Sequence, residues 1–394
     1  MRLVWGTVLA CEDERDGLQR LRTQYCYKNK QIEVPALNYL LLGAPCTVGE
    51  GVLLNVTAID LGLGTGGFAF VVARAPEVAV ARQDMELRVT QGAQGDGSPH
   101  PSCPTAFDDH APNGGHIMKL RYTPLQREVL CVEESGSPYH KLLKDACSLE
   151  GSPVVCCELH SQVALVAAAV KHLKPQARVV YCMTDEAALL APFSALLAQM
   201  RATGLLDACV TCGQALGGDF EAVNLYSGLL AAFAVCKADI LICAQGPGVV
   251  GTATRFGHGG LAQAQALGAA AVLDGVPIAA LRLSFADARP RHEGVSHHTL
   301  TALGTACLAR AVIPFPADLS ASQATTVGHQ LEDAHITSQH GLVNVPVDRA
   351  AVDLRGLTVT TMGRTQDDDP AFFSAAFAAG LFAAQLLDER VRGE

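Results

Sequence analysis

The chain has 394 residues, 49% of them hydrophobic and 17% charged, which allows a sizeable core and favours two domains, with room for three. A net charge of −10 argues against general nucleic-acid binding, which depends on clustered lysine and arginine. The first residues predict no secretory signal, because "DERD" stands where a cleavage site would be, and fourteen cysteines without secretory context suit reduced thiols in a cytoplasm.

In chain order, the first third reads as strands. "LVWGTVLAC", "KQIEVPALNYLLL", "GEGVLLNVTAI" and "FAFVVARA" are short, rich in branched residues and broken by Gly or Pro. "GHIMKLRYTPLQREVLCVEE" alternates, with Met118, Leu120 and Tyr122 on one face and Ile117, Lys119 and Arg121 on the other, and "TPLQ" turns it into a hairpin. A small β barrel or sandwich over residues 1–135 closes these strands, with a long exposed loop at 91–115 rich in Gly, Pro, Ser and Asp. Residues 136–153 read as a linker.

From 154 to 394 apolar strands alternate with amphipathic helices. The strands are "PVVCCELH", "ARVVYCMTD", "DACVTCGQ", "ADILICAQG", "PIAALRLSFAD" and "ARAVIPFP", with "LTVTTMGR" as a late addition. Near-continuous apolar strands with helical crossovers predict a doubly wound, mostly parallel, Rossmann-like α/β domain. The uncharged run "AFFSAAFAAGLFAAQLL" falls just short of a bilayer span and reads as a buried or dimer-interface helix, so a homodimer and no membrane are expected.

Ligands of such sheets bind beyond the carboxyl ends of the strands. Those ends here carry Glu158, His160 and Ser161, then Thr184, Asp185 and Glu186, then "TCGQALGGD", then "QGPGVVGTATRFGHGG", then "SFADARPRHEGVSHHTL". Gly246, Gly248, Gly251 and Thr252 allow close backbone approach, although "GPGVVG" is neither a P-loop nor a full dinucleotide fingerprint. Asp219 reads as an N-cap or as a carboxylate opposing a histidine, with Glu221 in the first turn. Cys209 and Cys212 form a lone CxxC whose offset of three points to opposite strand faces, and Cys212 is the better placed as a thiol nucleophile.

The last strand end supports three readings. Arg289, Arg291 and the helix start at Ser296 suit an anion clamp, with His292, His297 or His298 moving a proton against Asp185 or Asp219. His292 and His297 with Asp287, and His298 as a further donor, could instead hold a metal. Structural hydrogen bonding is the third. His258 could face the same site, while histidines 329, 335 and 340 read as solvated or capping.

"GHIMKLRYTPLQ", "LGTGG", "ALGGDFEAVN", "GPGVVGT", "SFADARPRHEGVSHHTLTAL" and "MGR" before "DDDPAFFSAAFAAG" resemble the bacterial family catalogued as domain of unknown function 3866. The resemblance spans nearly the whole chain and implies a cytoplasmic bacterial protein, but it supplies no activity and leaves any cofactor unknown. Ala253 and His258 depart from the pattern expected there, which weakens the case for His258 as an essential group. The residues point to an enzyme acting on a small anionic metabolite, phosphorylated or carboxylated, by transferase or hydrolase chemistry. A non-catalytic ligand sensor and a metal-dependent hydrolase are the alternatives.

Overall fold

The computed structural model describes residues 2–27, 30–56, 59, 67–75, 115–121, 125 and 127–392. Almost all of the loop expected at 91–115 lies outside them. Contacts divide the chain into two compact units, Met1–Asn113 and Gly114–Glu394.

The first unit is a closed barrel. Strands β1 (Leu3–Arg15), β2 (Leu18–Tyr27), β3 (Lys30–Tyr39), β4 (Gly51–Asn55) and β5 (Ala69–Arg74) close in the order β1-β2-β3-β5-β4. Alternation turns Val8, Leu21, Tyr25, Val34, Val52 and Leu54 into its core. Strand β2 was not expected from the sequence.

The second unit begins with the hairpin β6 (Ile117–Lys119) and β7 (Arg127–Val129). The sequence placed this hairpin with the barrel, but Lys119 ties it to the α/β unit. Its fully buried ammonium donates to the carbonyls of Thr211 and Ala215 and to the Glu221 carboxylate, at 2.6–3.0 Å. A buried ammonium persists only with such partners. The segment expected as a linker also packs here, since Leu149 is buried and its N–H donates to the Leu273 carbonyl.

An eight-stranded, all-parallel sheet follows. Its strands are β8 (Pro153–Cys156), β9 (Val179–Thr184), β10 (Ala208–Cys212), β11 (Phe220–Ala222), β12 (Ile240–Gln245), β13 (Val276–Ala279), β16 (Val312–Pro316) and β17 (Gly341–Val345). They lie in the order β11-β10-β9-β12-β8-β13-β16-β17. A separate two-residue ladder pairs β14 (Leu283–Ser284) with β15 (Gly294–Val295). The Rossmann-like α/β architecture is therefore present. "LTVTTMGR" is not one of its strands and makes only an isolated bridge, Thr361 to Arg364, while "GLVNV" forms the edge strand β17.

Strand alternation sends Cys156, Cys182, Cys212 and Cys243 to one face and Val155, Tyr181, Cys209 and Ile242 to the other. Cys209 and Cys212 do lie on opposite faces, as their spacing requires. Ten of the thirteen described cysteines are buried, and Cys11, Cys26 and Cys147 are exposed.

Helices His160–Leu173 and Ala195–Ala202 cover one face together with most of the long helix Pro370–Arg392. Helices Leu225–Ala234, Ala262–Val272 and Ala321–Asp333 cover the other. Among the described residues, Pro370–Asp388 is the helix long and apolar enough to cross a membrane by length and composition, and 72% of its apolar window is buried in the fold. Its apolar faces are used inside the chain, so they no longer argue for a dimer.

The crossover after β8 runs on the first face, whereas those after β12 and β13 run on the second. Because β12, β8 and β13 are neighbours, their outgoing loops part at the carboxyl ends and open a crevice there.

Candidate metal centre

Three strand ends meet at this crevice. Glu158 follows β8, the glycine loop 246–260 follows β12, and the histidine loop follows β13. The ladder between β14 and β15 pinches the histidine loop at its base, pairing Leu283 with Val295 and Ser284 with Gly294. Behind the loop, Asp369 accepts from Ser284 Oγ at 2.7 Å and from Arg364 Nε at 3.0 Å. The "MGR" and "DDDP" segments thus brace the site from outside it.

Ser296 caps the helix His297–Thr301, as its position in the sequence predicts, and accepts from the His298 N–H. The cap turns His297 and His298 back toward His292, whose Nδ1 lies 2.8 Å from Ser296 Oγ. One ring nitrogen from each of His292, His297 and His298 lies within 4.8 Å of the others. His258 completes the cluster, its ring stacked on His298 at 3.9 Å between centroids.

The partners of these rings fix which nitrogens are free. A carbonyl only accepts, so His258 Nε2 carries the proton it donates to the Arg255 carbonyl at 3.0 Å. His258 Nδ1 is then a bare lone pair, buried and without a hydrogen-bond partner. His298 Nδ1 donates to Glu158 Oε1 at 3.1 Å, which turns its Nε2 away from that carboxylate. His297 Nε2 is also buried without a partner. Two buried, unpartnered nitrogens, on rings 5.6 Å apart in one cluster, leave a donor set in search of an acceptor.

Glu158 is the anchor. It is 1% exposed, takes a 2.7 Å ion pair from Arg282 and accepts from Thr299 Oγ1 at 2.6 Å. Burial alone would raise its pKa, but His298, Arg282 and Thr299 outweigh it and hold the carboxyl down at about 2. Burial, with the Arg282 and Arg289 charges, lowers His292 to about 3. Burial and the neighbouring rings lower His297 to about 4, and His258 falls for the same reasons. These imidazoles are therefore neutral near pH 7, the state in which histidine binds a metal.

Glycine makes room for them. A Cβ at Gly251 would sit 3.1 Å from His298 Nε2, and one at Gly260 would sit 3.1 Å from His258 Nδ1. Either side chain would crowd a free nitrogen. Gly246 is buried against the Ala188 carbonyl, so its close approach is to protein. Gly248 and Thr252 lie at or near the surface of the loop, where the Thr252 hydroxyl donates to the Gly257 carbonyl.

Other expected site residues are placed differently. Arg289 makes a bidentate pair with Asp287 at 2.7 and 2.8 Å, and Arg364 binds the same carboxylate. These guanidiniums push Asp287 far below the usual carboxylate range and commit it, so His298 stands where Asp287 was expected in the metal set. Arg291 is exposed and has no side-chain partner among the described residues. Asp219 does not cap a helix. It binds Arg201 and the Cys209 N–H near the amino end of β10, while Asn224 caps the helix Leu225–Ala234. Glu221 lies in β11 rather than in a first helical turn. Asp185 accepts from the Gln214 N–H at 2.7 Å at the carboxyl end of β9. Cys212 is buried and Cys209 is raised by burial. His340, expected to be solvated or capping, is buried between the Ala311 N–H and the Leu303 carbonyl.

The chain matches the family model described as "Protein of unknown function (DUF3866)" over residues 35–380. It belongs to that family. The matched region contains Glu158 and all four clustered histidines, so the centre lies inside the family's own extent. No curated protein and no solved structure matches the chain.

Sequence reasoning placed Glu158 at a strand end of the site without a role, missed Arg282 and Thr299, and gave His258 little weight. Arg282 did carry a signal: a lone charge inside an apolar strand-like run must find a buried partner.

Proposed function

We propose that this protein is a metal-dependent hydrolase acting on a small anionic metabolite in a bacterial cytoplasm. The convergence of one nitrogen from each of His292, His297 and His298 within 4.8 Å carries the reading. Three imidazoles with an open position are the donor set of a catalytic zinc or similar divalent ion. Such an ion supplies Lewis acidity toward an ester or phosphoryl oxygen.

The protein's own groups do the rest. The Glu158 carboxylate accepts from His298 Nδ1 and so orients that ring, as metal-binding histidines usually require. His292 presents Nε2 when its Nδ1 donates to Ser296 Oγ. His258 Nδ1, bare and held neutral, accepts a proton from the attacking water. Arg291, exposed beside His297, draws the substrate's negative charge. Arg289 shapes the loop through Asp287 rather than binding the anion.

Elemental analysis of the purified full chain, stripped with chelator and then offered zinc or manganese, tests the reading. We expect near-stoichiometric retention, lost in His292→Ala and His298→Ala. Arg291→Ala keeps the metal and weakens turnover of anionic esters. A chain that retains neither ion, or that retains it equally in both histidine variants, would sink the proposal.

A further inference from the structure

A cavity of about 790 Å³ opens beyond the carboxyl ends of β9 and β10, and none of the four clustered imidazoles lines it. Thr184, Asp185 and Glu186, at the end of β9, are part of its polar lining. Tyr226, Leu261 and Leu308 supply apolar surface. Its volume suits a small organic molecule.

Two oxygens on the polar lining have no hydrogen-bond partner. Thr184 is 5% exposed, and its Oγ1 has no hydrogen-bond partner. Glu186 Oε2 is likewise buried and unpartnered. A buried polar atom left without a partner is costly, which favours a ligand that supplies one. Both residues line the same cavity, and both oxygens can accept. Asp185 beside them is held by the Gln214 N–H, so the group is fixed in place. Among the lining residues Asp185 and Glu186 face a single guanidinium, that of exposed Arg121.

We infer that this cavity binds a small organic amine with an apolar body. An ammonium offers three donors and no acceptor, which matches unpartnered acceptors next to excess negative charge. It donates to Glu186 Oε2 and Thr184 Oγ1, and its apolar part lies against Tyr226, Leu261 and Leu308. A neutral alcohol of the same shape lacks both the charge and two of the donors. The site stands apart from the proposed metal chemistry and needs no ion.

Titration calorimetry of the full chain with phenethylamine, and with 2-phenylethanol as its neutral counterpart, tests this. We expect saturable amine binding with a Kd of roughly 0.1–1 mM, as suits so small a ligand. The alcohol should bind at least about tenfold more weakly. Glu186→Gln should weaken the amine by a similar factor with an unchanged melting temperature, and His298→Ala should leave amine affinity intact. Should Glu186→Gln unfold, Thr184→Val removes the second acceptor at nearly constant shape and is expected to weaken the amine. The inference is overturned if the amine does not saturate, if the alcohol binds equally well, or if the substitution in the folded variant changes nothing.

Discussion

Every titrating group with a resolved shift at the histidine centre leans the same way. His292 at about 3, His297 at about 4, lowered His258 and Glu158 at about 2 all release protons more readily in the fold than in the open chain. The unfolded chain takes up protons first as pH falls. These groups therefore contribute fully above about pH 6.5, the ordinary histidine value. Their contribution is lost as pH drops through the histidine window toward 4 and 3, and then as Glu158 protonates near 2. Melting temperatures taken from pH 7.5 down to 4 should fall steadily, and a flat profile would contradict these shifts. Glu158→Gln leaves the Arg282 guanidinium buried and unpaired, which should cost about 3–5 kcal/mol in a denaturant titration. At this scale the sequence is uneven as a guide. His292, Ser296, His297 and His298 are legible because they share one short loop. Glu158 and His298 lie 140 positions apart, and local pattern carries nothing about such a meeting.

Helices and strands were easier to read where one rule acted alone. Strands β8, β9, β10 and β12 are buried along their whole length, since helices cover both faces, so their apolar runs stand out. Strand β2 escaped because its solvent face is Arg20, Arg22 and Gln24, and its inward Leu21, Thr23 and Tyr25 are thinly spread. Strand β11 has three residues, too few for any period. The long helix Pro370–Arg392 was recognised by its apolar run, but its partner was not. It crosses His160–Leu173 closely at Gly380, where a Cβ would press on the Val166 carbonyl and sit 2.8 Å from Ala169 Cβ. Gly380→Leu should force these helices apart and cost about 1–3 kcal/mol, visible as a lower melting temperature. An unchanged melt would mean the contact is looser than the geometry implies.

At the scale of the chain, each compact unit owns its core. The barrel cluster contains only residues before 113, and the two sheet clusters contain only residues after 114. A fragment spanning 114–394 should therefore fold, unfold in one cooperative transition and hold metal as the full chain does. A molten fragment would show that the barrel is needed to complete the second core. The two-unit plan was legible from the change in pattern along the sequence. The hairpin's allegiance was not, because it rests on where the Lys119 ammonium finds carbonyls about ninety positions away.

The row of inward cysteines has a practical consequence. Burial pushes the Cys156 and Cys243 thiols well up, so in the fold they hold their protons and stay unreactive. Among the described cysteines, a colour-forming thiol reagent should therefore meet Cys11, Cys26 and Cys147 at once and the ten sheltered sulfurs only as the chain opens. The molecule carries its own clock: the slow rise in colour times how often its core comes apart.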